Sequence, residues 1–145
     1  MSEFHPSFWA ALTGWFLAQL IKMISCFLRS GKLDFSYLMS TGGMPSAHTS
    51  MVCSLATSIG LHEGFSTPLF AIVVCFASVV MFDAQSVRKA AGEQAKLLNQ
   101  IVDELLHEHH LSEQKLKELL GHTRLEVLGG LLSGIGAAHL MYHLL

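Results

Sequence analysis

Four long apolar segments, nearly free of charge, dominate this sequence. They cover residues 8–28, 44–61, 68–82 and 126–145. Within them only Lys22 and Glu126 are charged. Charged residues make up 14% of the chain, against about 25% in a typical soluble domain. Because an apolar helix of about 20 residues crosses the hydrocarbon core of a bilayer, the pattern predicts an all-α fold. We expect an integral membrane four-helix bundle, formed by one domain over residues 1–145.

The segments differ in ways that indicate their places in such a bundle. Small polar residues run through residues 44–61, so this helix suits the interior of a bundle better than a lipid-facing position. Gly130 and Gly134 form a small-xxx-small pair, which favours close helix packing. Residues 84–125 form a hydrophilic insertion that is predicted to be a helical hairpin, with a second short helix from Ser112. A helical period places one apolar face on its first helix: Ala91, Ala95, Leu98, Val102 and Leu105.

The basic residues indicate the orientation of the chain. If it crosses the membrane four times, the termini and the loop at 62–67 share one side that holds no Lys or Arg. The positive-inside rule makes the other side cytoplasmic. Lys22 and the residues of that side account for all nine basic residues: Arg29, Lys32, Arg88, Lys89, Lys96, Lys115, Lys117 and Arg124. Because no N-terminal extension precedes the first segment, we expect a bacterial inner membrane rather than an organelle.

The stretch Gly42-Gly43-Met44-Pro45-Ser46-Ala47-His48, at the start of the second segment, indicates an anion site. The glycines allow close approach of the backbone, and Pro45 is predicted at the first helical position. Ser46 and the N–H groups of the first turn would receive the anion. His48 would then pass a proton to it. An ordinary Gly-Pro turn before a helix is the alternative.

Further ionisable residues are predicted at the same membrane level. Lys22 and Arg29 lie about two helical turns apart on nearly the same face of the first helix, although Lys22 could instead snorkel without a function. Arg88 follows the third segment. Asp83, an acid at the membrane boundary, is predicted to support the site by pairing with Arg88 or Lys22.

His122 precedes the fourth segment, with Glu126 one helical turn further on. A carboxylate at that spacing can accept the imidazole Nδ1–H, so that Nε2 can attack. Cations, one attacking histidine and one proton-donating histidine suit phosphoryl transfer without a metal. The sequence lacks clusters with metal-ligand spacing, so we expect no metal and no other cofactor.

These motifs resemble those of the divergent branch of the membrane type-2 phosphatidic acid phosphatases, relatives of the vanadium haloperoxidases. That superfamily carries the signatures Lys-x6-Arg-Pro, Pro-Ser-Gly-His and Ser-Arg-x5-His-x3-Asp. Lys22 and Arg29 match the first signature, with Ser30 in place of its Pro. Pro45-Ser46-Ala47-His48 matches the second, with Ala in place of its Gly.

The third signature is split in this chain. Residues 89–121 separate Arg88, which resembles its Arg, from His122, which resembles its His, and Glu126 replaces its Asp. Whether the two parts converge depends on how the insertion folds. Three further stretches resemble the divergent branch in particular: Phe82-Asp83-Ala84, Val87-Arg88-Lys89-Ala90-Ala91-Gly92 and Leu119-Leu120-Gly121-His122-Thr123.

The resemblance implies a phosphatase that hydrolyses a lipid phosphate, either a phosphomonoester or a pyrophosphate, through a phosphohistidine. It implies His122 as nucleophile, Glu126 as the residue that orients it, and His48 as general acid. It also implies a set of residues that hold the phosphate: Lys22, Arg29, Ser46 and Arg88. A polar site at the membrane boundary would admit a lipid headgroup sideways.

Two other functions stay open. The chain could be a non-catalytic membrane protein that keeps a phosphate or lipid-headgroup pocket, or a transporter subunit that depends on Asp83 more than on His122. We expect membrane lipid as a partner and no nucleic acid, and self-association into a homo-oligomer stays open. His107, His109 and His110 indicate a solvated helix end rather than a metal site. His139 and His143 indicate interfacial packing or hydrogen bonding rather than ligation.

Overall fold

The computed structural model describes residues 4–30, 43–106 and 121–144, and the regular secondary structure of these residues is entirely helical. The helices are α1 (Pro6–Ser30), α2 (Ala47–Glu63), α3 (Pro68–Phe82), α4 (Arg88–Leu106) and α5 (Arg124–Leu144). A π-helical turn over Asp83–Val87 joins α3 to α4. The predicted all-α fold is therefore confirmed.

Helix α2 lies at the centre of the bundle, in contact with α1, α3 and α5. Its serines are almost fully buried, and their hydroxyls donate hydrogen bonds to α1. These bonds run from Ser50 Oγ to Gly14 O (2.8 Å), from Ser54 Oγ to Ala10 O (2.6 Å) and from Ser58 Oγ to Ser7 Oγ (3.1 Å). Because the partners of these hydroxyls lie on another helix, the predicted interior position of this segment is confirmed.

Two glycines of α5 let that helix approach α2 closely. A Cβ at Gly130 would lie 2.6 Å from Ser46 O and 2.8 Å from Thr49 Cβ. A Cβ at Gly134 would collide with Ser50 O. Real side chains do not approach backbone atoms so closely, so this separation of α2 and α5 requires glycine. The close packing predicted from the small-xxx-small pair is confirmed.

The two ends of the bundle bring together different elements. At one end, the start of α1 meets the ends of α2 and α5: His5 Nε2 lies 3.2 Å from Glu63 Oε1, and the rings of His62 and Tyr142 are 5.1 Å apart. At the other end, backbone hydrogen bonds join the start of α5 to the start of α2 and to the π-helical turn. The predicted site lies at this second end.

Three helical stretches of the described residues are long and apolar enough to cross a membrane. They are Pro6–Leu28, Pro68–Asp103 and Arg124–Leu144. Helix α2, with 17 residues, is shorter, and the buried serines make it more polar. The predicted segment 68–82 has the same bounds as α3. Helices α1 and α5 each begin two residues before the predicted starts at residues 8 and 126.

Helix α4 continues from α3 through the π-helical turn. The apolar face predicted for this region is mostly uncovered, because Ala95 is buried but Leu98 and Val102 are exposed. The second helix predicted from Ser112 lies outside the described residues.

Candidate functional site

The start of α2 is capped by Ser46, which has an extended conformation with φ −70° and ψ 115°. Its Oγ accepts hydrogen bonds from Thr49 N at 3.5 Å and from Thr49 Oγ1 at 3.1 Å. The prediction that Pro45 occupies the first helical position is wrong, because Pro45 precedes this cap. A serine hydroxyl satisfies a backbone N–H that the helix leaves unpaired, so the helix begins after Ser46, at Ala47.

Ser46 also joins α2 to α5. Its backbone N–H donates to Glu126 O at 2.9 Å, and its carbonyl lies against Gly130. The side chain and backbone of Ser46 are completely buried. The first turn of α2 is therefore held against the first turn of α5, and the predicted binding of an anion there stays a prediction.

His122 is oriented by Glu126, as their spacing predicted. His122 Nδ1 lies 3.1 Å from Glu126 Oε2, and the two side chains are 2% and 20% exposed. A carboxylate can only accept, so Nδ1 carries the proton and the lone pair of the neutral imidazole lies on Nε2. This is the tautomer that a nucleophilic histidine requires.

A capping box, which the sequence interpretation missed, holds the same carboxylate in place. Thr123 N donates to Glu126 Oε2 at 2.9 Å, and Glu126 N donates to Thr123 Oγ1 at 3.3 Å. The signal was present as a Thr followed three residues later by a Glu, directly before an apolar run. Glu126 therefore caps the first turn of α5 and orients His122 through the same oxygen atom, Oε2.

The two parts of the split third motif meet in the fold. His122 N donates to Ala84 O at 2.9 Å, so the chain returns from the insertion to the π-helical turn. Arg88 begins α4 directly after that turn. Asp83 is half-buried at the start of the same turn, and its pairing with Arg88 or Lys22 stays a prediction. The insertion thus separates the two parts in sequence but not in space.

Lys22 reaches the site from α1. It is only 3% exposed, and its aliphatic stem lies beside Gly43, where a Cβ would be 3.5 Å from Lys22 Cγ and Cδ. Lys22 interacts electrostatically with Glu126. Gly43 has φ +92°, a conformation that favours glycine. The structure therefore brings together Lys22, Ser46, His122 and Glu126.

The remaining predicted residues are less closely tied to this group. His48 is exposed in the first turn of α2. Arg29 and Arg88 occupy helical positions at the same end of the bundle, at the end of α1 and the start of α4. His107, His109 and His110 lie outside the described residues.

Two pockets flank the site. The first, which we call the apolar pocket, has a volume of about 570 Å³ and lies between α1, α5 and residues 43–45, with Lys22 in its wall. The second, the polar pocket, has a volume of about 550 Å³ and is lined by His122, Ser86, Lys89 and Arg124, among others. His48 lines neither. The sequence did not predict that Ser86, Lys89 and Arg124 line this pocket, because none of the three signatures specifies these residues.

The two histidines of α5 lie away from the site. His139 Nδ1 is 3.0 Å from Ile135 O of its own helix. His143 contacts Tyr142, with ring centroids 5.6 Å apart, at the opposite end of the bundle. These contacts agree with the predicted hydrogen bonding and packing.

Comparison with known proteins places the chain in a family. The model of the divergent PAP2 family matches residues 4–137. The chain is also 42% identical over 137 residues to the "Uncharacterized membrane protein YuiD" of Bacillus subtilis (strain 168), with 87% of each chain covered. No solved structure matches it significantly. The apolar helices and this relative mark it as a membrane protein, and the family match covers every motif described above. The chain belongs to the divergent PAP2 family.

Proposed function

We propose that this membrane protein hydrolyses a lipid phosphate through a phosphohistidine intermediate, without a metal. The observation that carries the proposal is the contact of His122 Nδ1 with Glu126, which leaves the imidazole lone pair on Nε2. The backbone contact between His122 and Ala84 supports it further, because it holds His122 beside the turn that leads into α4.

The proposed reaction has two steps. In the first, His122 Nε2 attacks phosphorus, the bond from phosphorus to the leaving alcohol breaks, and His48 donates a proton to that alcohol. In the second, His48 accepts a proton from water, which attacks phosphorus and breaks the N–P bond. Inorganic phosphate leaves and both histidines return to their starting states.

Fixed positive charge would stabilise the phosphoryl group in both steps. Lys22 and the start of α2 at Ser46 would supply part of it, and Arg29 and Arg88 would supply the rest. We propose that this end of the bundle faces the cytoplasm, and the positive-inside rule, applied to the basic residues, supports that orientation. A site at the membrane boundary then favours a lipid over a water-soluble phosphate.

The test is phosphate release by the detergent-purified protein from a panel of lipid monophosphates and pyrophosphates, with EDTA present. We expect release that EDTA does not inhibit and that His122→Ala abolishes. His139→Ala is a matched control, because His139 lies away from the site and its hydrogen bond is to Ile135 O of its own helix. Release that requires a divalent cation, or that survives in His122→Ala, would contradict the proposal.

Binding of a lipid phosphate without turnover is the second candidate. The observation that favours it is the 2% exposure of the His122 side chain, which leaves little room for a substrate phosphorus to reach Nε2. Native mass spectrometry distinguishes the two candidates. Lipid phosphate retained by both the unmodified protein and His122→Ala, with no phosphate released by either, would favour binding.

A further inference from the structure

We infer that the apolar pocket between α1 and α5 receives the acyl chain of the lipid phosphate, which enters sideways from the bilayer. This inference rests on the proposed function for the identity of the headgroup. The pocket is formed by the C-terminal half of α1, the N-terminal half of α5 and residues 43–45. Its volume, about 570 Å³, is typical of sites for small molecules, roughly 300–1,000 Å³.

Exposed apolar side chains form part of the pocket wall. Ile21 and Leu132 line it and are 42% and 64% exposed. Both lie within helical stretches that are long and apolar enough to cross a membrane. Side chains exposed on such helices contact lipid, so the crease between α1 and α5 opens towards the bilayer rather than towards water.

A buried basic side chain lies in the wall of this mostly apolar pocket. Lys22 is 3% exposed and lines the pocket. A charged side chain within a membrane-spanning helix is costly and usually marks a functional position. Hydrocarbon walls that end at an ammonium group match the chemistry of an anionic amphiphile, with its chain in the pocket and its phosphate near Lys22.

The polar pocket is less suited to a chain. Apart from Gly121, the described residues that line it are polar or charged, including Gln85, Ser86, Lys89 and Arg124. Burying hydrocarbon against such groups would desolvate them without a compensating hydrogen bond. The contrast between the two pockets assigns the hydrocarbon to the space between α1 and α5.

Gly129 keeps the apolar pocket open. A Cβ there would lie 3.2 Å from Met44 Cε and 3.4 Å from Pro45 Cβ, at the boundary between α5 and residues 43–45. A leucine would therefore extend into the pocket. Gly136 is the matched control on the same helix, because a Cβ there would meet nothing within 4 Å.

The experiment has two arms. The first compares Gly129→Leu with Gly136→Leu for turnover of dioleoyl phosphatidate and of its short-chain dihexanoyl analogue. We expect Gly129→Leu to lower turnover of the long-chain lipid by about tenfold or more and to change turnover of the short-chain lipid much less. Gly136→Leu should change neither. An equal loss on both substrates would overturn the inference and leave the proposed function standing.

The second arm does not depend on turnover or on a variant that folds. A phosphatidate with a diazirine on its acyl chain is crosslinked to the unmodified protein, and the labelled peptides are mapped. Labelling near Ile21 and Leu132 that excess phosphatidate suppresses supports the inference, even if no lipid is hydrolysed and the proposed function fails. Labelling confined to other lipid-facing helices, or not suppressed by phosphatidate, would overturn it.

Discussion

Replacing Gly130 with alanine should force α5 away from the start of α2. The new Cβ would lie 2.6 Å from Ser46 O and 2.8 Å from Thr49 Cβ, whereas ordinary contact begins at 3.4 Å. The helices must therefore separate locally by about 0.8 Å at the carbonyl. Backbone atoms of a capped helix start cannot rotate away as a flexible side chain could. This movement would stretch the hydrogen bond from Ser46 N to Glu126 O, which is 2.9 Å long.

The expected magnitude follows from two opposing effects. Overpacking a tight contact costs about 1–3 kcal/mol, while alanine is a better helix former than glycine by about 1 kcal/mol. Gly136→Ala gives the second effect alone, because nothing lies within 4 Å of a Cβ at that position. The difference in unfolding free energy between the two variants isolates the steric effect and should be about 1–3 kcal/mol.

Denaturant-induced unfolding in detergent, followed by circular dichroism, measures this difference. Phosphate release or lipid-phosphate retention, measured on the same samples, should fall for Gly130→Ala and not for Gly136→Ala, because only Gly130 contacts Ser46. Equal stabilities for the two variants would refute the close packing of α2 on α5.

Two further changes test the contacts within the bundle and at the site. Ser54→Ala removes a buried hydrogen bond to α1 and should lower the unfolding free energy by about 1 kcal/mol. Ser78→Ala, which loses only an exposed bond within its own helix, should be close to neutral in the same denaturation assay. Glu126→Gln should keep the stability of α5, since glutamine also completes a capping box. It should lower phosphate release by about 10²–10⁴-fold, because an amide no longer selects the reactive tautomer of His122.

Each of these outcomes has a clear opposite. Equal destabilisation by Ser54→Ala and Ser78→Ala would mean that the bond between α1 and α2 contributes no more than an exposed bond within one helix. Unchanged phosphate release by Glu126→Gln would mean that capping α5 is the whole contribution of this carboxylate.

Much of the fold could be predicted because its signals are local. The apolar segments correspond to α1, α2, α3 and α5, since hydrophobic length and the lack of charge depend only on neighbouring residues. The serines of α2 indicated its central position because hydroxyls need partners that lipid does not provide. The pairing of His122 with Glu126 was predicted from helical spacing, and the contact is present although His122 lies just before α5 rather than within it.

Helix starts were predicted less well. Pro45 is a good first helical residue, but Ser46 caps the helix instead, so α2 begins at Ala47, two positions later than the proline suggested. The start of α5 is also set by a cap. The Thr123 hydroxyl accepts from Glu126 N, and the Glu126 carboxylate accepts from Thr123 N.

The sequence by itself determined the helical class, the buried character of α2 and the local pairing of His122 with Glu126. Only the tertiary structure decided that the two parts of the third motif meet, through the bond from His122 N to Ala84 O. It also decided that a pocket opens between α1 and α5 beside Lys22. Contacts between residues far apart in the chain depend on how whole helices pack, and no local pattern of side chains encodes that arrangement.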